Sequence, residues 1–108
     1  MKLILSNLAL TKEQILRNLN QAKEAYKKAK AEWEKYHNKI SELEKQKAQI
    51  DKKFAKNKDK YDWGLKAQSD KLLQEIGRLG NIANEYYWEM QNFEKNIAKY
   101  EKMYKRAK

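Results

Sequence analysis

Residues 15–54 read ILRNLNQAKEAYKKAKAEWEKYHNKISELEKQKAQIDKKF, and the spacing of their apolar side chains decides the fold. These recur at alternating steps of four and three: Ile15, Leu19, Ala22, Tyr26, Ala29, Trp33, Tyr36, Ile40, Leu43, Ile50 and Phe54, with Lys47 the one break. A 3.5-residue period draws a narrow stripe along a helix, and such a stripe is buried only against another helix. The second half of the chain supplies it. Leu65, Leu72, Ile76, Leu79, Ala83, Tyr86, Met90, Phe93, Ile97, Tyr100, Tyr104 and Ala107 keep the same rhythm, broken only at Ser69.

Between the halves stands Lys56-Asn57-Lys58-Asp59-Lys60-Tyr61-Asp62, polar and rich in residues that favour turns and caps. Asp59 or Asp62 can cap the second helix by accepting its first backbone N–H groups. Thr11 with Gln14 fits a capping box for the first helix, although the seam phase also reaches back through Lys12 to Leu8 and Leu5. A short linker between two seams predicts an all-α chain, a long antiparallel two-helix coiled-coil hairpin. One domain is expected over residues 1–108: an apolar N-terminal segment at 1–10, a helix at 11–56, a turn at 57–62 and a helix at 63–107. Facing residues should then carry numbers that add to about 119. That register sets Tyr36 against Ala83, Ala29 against Met90, Ala22 against Ile97, Leu43 against Ile76 and Trp33 against Tyr86. Large side chains repeatedly face small ones, as close packing requires. On the flanks it brings Lys23 near Glu94 and Asp51 near Lys66.

Composition supports the same reading. Of the 108 residues 41% are hydrophobic and 37% charged, too polar for a layered core but right for helices that bury one stripe. There is no proline and there are only three glycines, so turns are few and elements long. No cysteine is present and His37 is the one histidine, which removes thiol chemistry, a zinc cluster and a Ser–His pair. The carboxylates alternate with lysines, and no glycine-rich phosphate loop or nucleophile elbow occurs. The chain is expected to be non-enzymatic, with no catalytic residue, no metal and no cofactor. Leu3, Ile4, Leu5, Leu8 and Leu10 form too short and broken a run for a signal peptide, and nothing approaches a membrane span. A cytoplasmic protein without a membrane partner is the expectation.

Several apolar residues lie off the seam: Leu16, Leu73 and Tyr87 on one flank, Ala25, Ile82 and Met103 on the other, and Trp88 on the back. A hairpin buries little area per residue, so a second interface is expected. Either the N-terminal segment packs on the hairpin, or two chains form a homodimeric four-helix bundle. Gly77 and Gly80 suit a segment that approaches closely, or are simply tolerated within a helix. Tyr87 and Trp88, with Ile82 and Leu73, form the candidate partner-binding surface, because Trp and Tyr dominate interface hot spots.

Charge supplies the other candidate. Residues 1–60 hold 16 basic and 8 acidic groups, whereas residues 61–108 hold 9 and 7, so the first part carries most of the net +10. Lys45, Lys52, Lys53, Lys56, Lys58 and Lys60 gather it at the turn, where they could contact nucleic acid or an acidic partner. A second basic knot, Lys99, Lys102, Lys105, Arg106 and Lys108, stands near the C-terminus. Of the 25 cations 22 are lysine, which argues against base-edge readout by arginine forks. Most aromatics belong to the seam and are therefore not expected to stack on bases. The first expectation is a helical protein that binds a macromolecule, most often a protein. By association it is a small accessory or inhibitory factor of phage or mobile-element type. The second is sequence-nonspecific nucleic-acid binding through the lysine-rich turn.

Trp63-Gly64 at the turn and Thr11-Lys12-Glu13-Gln14-Ile15 at the helix start resemble the WXG100 proteins exported by type VII secretion. The resemblance implies a helical hairpin, export without a signal peptide and a secretion partner. In that family a residue separates the Trp from the Gly, and a C-terminal Tyr is followed four positions later by an acid. Here Trp63 and Gly64 are adjacent, Tyr87 leads to Gln91 and Tyr100 leads to Tyr104. The likeness is one of architecture.

Overall fold

The first helix begins where the sequence offers a cap. In the computed structural model, which describes residues 10–57 and 60–107, Thr11 Oγ1 accepts the Gln14 N–H at 3.1 Å and Gln14 Oε1 accepts the Thr11 N–H at 3.0 Å. Two otherwise orphaned donors are thereby satisfied, so α1 runs over Lys12–Lys56. The expected N-terminal segment lies, Leu10 apart, outside the described residues, as do Lys58, Asp59 and Lys108. The second helix, α2, spans Trp63–Arg106, and of its two candidate caps Asp62 serves: its Oδ1 accepts the Leu65 N–H at 3.1 Å. Glu13 in the first turn of α1 suits the positive end of its dipole. Lys53 and Lys56, with Lys105 and Arg106, suit the negative ends of the two helices.

The two helices pack as an antiparallel helical hairpin, and their pairing falls into two compact units. One unit joins α1 up to Lys30 with α2 from Tyr87 onward; the other is Ala31–Tyr86 and holds the turn.

In the first unit the buried apolar side chains are Ile15, Leu19, Ala22 and Ala29 from α1 and Met90 from α2, every one a seam position. Ala22 shares a shallow groove with Phe93, Asn96 and Tyr100, the residues around its predicted facing partner Ile97. Toward the start of α1, Lys12 Nζ lies 4.8 Å from the centre of the Tyr104 ring. A lysine in seam phase thus ends the apolar stripe with a cation–π contact, worth about 0.5–1 kcal/mol at an exposed site.

In the second unit Leu79, Ala83 and Ser69 are buried. Leu43 lies beside Glu75 and Leu79, the neighbours of its predicted partner Ile76, and Ile50 lies beside Gln68 and Leu72, which flank Ser69. Tyr36 and Tyr86 stack at 5.9 Å and 16°, each one seam position removed from its predicted facing residue. Helical side chains lean toward their own N-terminus. In an antiparallel pair the two tyrosines therefore lean toward one another, across the layers of Ala83 and Trp33. The same lean brings His37 back onto Trp33 one turn earlier, their rings stacked at 5.0 Å.

The two seam breaks belong to one hydrogen-bonded unit. Ser69 is only 7% exposed, and its Oγ donates to Asp51 Oδ1 at 2.7 Å. Lys47 Nζ donates to Asp51 Oδ2, also at 2.7 Å. The Lys47 ammonium, then the Ser69 hydroxyl, holds the Asp51 carboxyl below its ordinary pKa. Of the expected flank neighbours, Asp51 and Lys66 lie near enough for their charges to act on one another but form no ion pair, and Lys23 and Glu94 form none. Lys66 instead meets Asp70 at 2.9 Å, and Glu75 meets Arg78, each within its own helix. A partner three or four residues away is held in reach by the helix itself, whereas a partner across the seam must be met by two extended side chains. Gly77 and Gly80 stand at open positions of α2, and residues 1–9, the segment that could approach them, lie outside the described residues. Among the described residues nothing lies within 4 Å of a Cβ placed at either, so no described segment approaches there.

Candidate functional site

The site builds upward from the last seam residue of α1. Phe54 is half-buried. Tyr61 sets its ring edge-on against Phe54, with centroids 5.0 Å apart and an interplanar angle of 90°. Trp63, the first residue of α2, packs on Tyr61 at 4.3 Å and 56°. Exposure rises along this ladder: Tyr61 is 52% exposed and Trp63 74%. Between them Asp62 is committed to capping α2, which leaves the two rings on the outside of the turn. Gly64 keeps that cap uncrowded, because a Cβ there would stand 3.2 Å from the Asp62 carboxylate oxygen.

The lysines of the last turns of α1 and of the turn itself belong to the same unit. Lys45, Lys52, Lys53, Lys56 and Lys60 are exposed, and among the described residues none of them is in an ion pair. Lys58 lies outside the described residues. Of the nearby carboxylates, Asp51 is engaged with Lys47 and Ser69, Asp62 with the helix cap and Asp70 with Lys66, and Asp59 lies outside the described residues. Hydrogen bonding by Asp70 raises the Lys66 ammonium above its ordinary pKa. The described part of the turn therefore presents lysines outside any ion pair together with two exposed aromatic residues, in a single unit of the fold.

Tyr61 and Trp63 are the functional candidates that the sequence reading missed. Most aromatics are seam residues, as expected, and these two are exceptions that the expectation passed over. Their signal was present, since both lie between the two seam series and flank the capping Asp62.

The predicted partner-binding residues are placed differently. Tyr87 and Trp88 meet edge to face at 5.7 Å and 72°, and are 41% and 60% exposed. Leu73 is exposed and Ile82 half-buried, and both belong to the unit that holds the turn, whereas Tyr87 and Trp88 belong to the other. Ring contact joins only the aromatic pair. Among the described residues no group of three His, Cys, Asp or Glu side chains could hold a metal ion, and no helix is long and apolar enough to cross a membrane.

No protein-family model, curated protein or solved structure matches the chain. Function must be argued from these surfaces.

Proposed function

We propose that the chain is a non-enzymatic helical binding protein that holds an acidic macromolecule at the turn end of its hairpin. The observation that carries this reading is the coincidence, within one unit, of the exposed Tyr61–Trp63 pair with lysines that no described carboxylate neutralises. Opposite charge steers encounter, and exposed aromatic rings supply contact area at little entropic cost. Arginine-fork recognition is not required, because lysines act as point charges toward an extended anionic surface. Converting Lys52, Lys53, Lys56 and Lys60 together to Glu should abolish partner capture while circular dichroism reports an intact helical fold. Capture that survives the change would refute the proposal.

A second reading rests on the Tyr87–Trp88 pair, which places an amphipathic aromatic anchor on an otherwise polar helix. It casts the chain as an accessory or inhibitory factor for a protein partner. The exposed Leu16 and Leu73 favour a homodimer in the same picture, since a second copy would cover them. Replacing Tyr87 and Trp88 with Ala separates the two readings, for it removes this anchor and leaves the turn untouched.

A further inference from the structure

We infer that the acidic macromolecule held at the turn is single-stranded nucleic acid, with bases stacked on Trp63 and Tyr61 and phosphates on the lysines of the same unit. The inference rests on the reading of the turn as a surface for an acidic macromolecule, and it assigns that partner a chemical class. Single strands are recognised without sequence preference by two features together: a basic track for the backbone and aromatic side chains for the bases. The turn has both. The Trp63 and Tyr61 ring centroids lie 4.3 Å apart, yet the residues remain 74% and 52% exposed, so both still offer aromatic surface to solvent, Trp63 the more.

The alternatives fit less well. A duplex buries the faces of its bases, so two exposed rings at a turn have nothing to stack on. Base-edge reading of a duplex also favours arginine, and the only arginines are Arg17, Arg78 and Arg106, none of them in the turn. An anionic membrane would attract the lysines and the tryptophan. Residues 56–62, however, offer no aliphatic side chain for insertion. An acidic protein would satisfy the charge without needing the ring faces. Lysines without arginine forks suit a phosphate backbone held by charge alone, which makes the site tolerant of sequence.

The test is a set of titrations of the full-length protein against labelled ligands, read by fluorescence anisotropy. The ligands are a 12-nucleotide oligothymidylate, an abasic strand of the same length, a duplex and polyglutamate; vesicles containing anionic lipid are followed by co-sedimentation. The oligothymidylate should bind about tenfold more tightly than the abasic strand, as expected for one or two stacked bases. Trp63→Ala should remove that advantage and leave abasic binding and the salt dependence unchanged. Because Trp63 is exposed, this variant should keep its helicity. The slope of log affinity against log salt should be about −2 to −3, the value for three or four phosphate contacts by a single strand. Lys53→Gln with Lys56→Gln and Lys60→Gln should flatten it. Equal binding of the two strands, equal binding of the duplex, or preference for vesicles would overturn the inference. Polyglutamate binding without strand binding would overturn it and leave the acidic-partner reading standing. Failure of every anionic ligand would overturn both.

Discussion

At the scale of single residues, the polar positions explain more than the apolar ones. Thr11 and Asp62 define where the helices begin, because each offers an oxygen to N–H groups that the helix cannot satisfy itself. Thr11→Ala should lower stability by about 1 kcal/mol, measured by chemical denaturation, and Asp62→Ala by a similar amount. Asp51 makes a different prediction. Its pKa is lowered in the folded chain by Lys47 and Ser69, so its contribution is fully present above its unfolded value. That contribution is lost as pH falls from there through the depressed folded value. Asp51→Asn should therefore bring the melting temperatures of variant and parent together as the solution is acidified toward and below pH 4. A gap unchanged between pH 7 and pH 3 would show that the ionised carboxylate contributes nothing.

At the scale of the element, each helix is a stripe whose occupants differ in size, and small residues decide where large ones fit. Ala29 and Ala83 are buried seam residues, so Ala29→Leu or Ala83→Leu should destabilise by about 1–3 kcal/mol despite the added hydrophobicity. The interior glycines of α2 predict the opposite sign. Gly77 and Gly80 have no positive φ and nothing described within 4 Å of a Cβ. Gly77→Ala and Gly80→Ala should each stabilise by about 1 kcal/mol, read from thermal or denaturant melts. A loss of stability instead would mean that another segment occupies that space.

At the scale of the whole molecule, charge and exposed apolar groups set behaviour. With a net charge of +10, self-repulsion opposes folding, so moderate salt should raise the melting temperature while weakening any capture of an anionic partner. Those opposite responses, followed by thermal melts and binding titrations over one salt series, separate global charge from the local chemistry of the turn. Light scattering tests the homodimer reading directly: a dimer that becomes a monomer on Leu16→Glu with Leu73→Glu would assign those residues to self-association.

The helical hairpin was legible in the residues because period, turn chemistry and caps all act over a few positions, and they agreed. Every buried apolar residue among the described ones falls on the 3.5-residue stripe, and buried Ser69 stands at one of its two breaks. What depended on tertiary structure was the use of residues that the stripe leaves over. Lys47 and Ser69 read as defects; the helix itself sets Asp51 within reach of Lys47, and only the packing of the two helices adds Ser69 to make one hydrogen-bonded unit. Tyr61 and Trp63 were visible as aromatics beside a cap. The structure spends Asp62 on the cap of α2, rests Tyr61 against the end of the seam at Phe54 and leaves both aromatic residues exposed. Periodicity records which face a helix must bury. It carries no information about which side chains a turn leaves in solvent, since that depends on where the two helix ends come to lie.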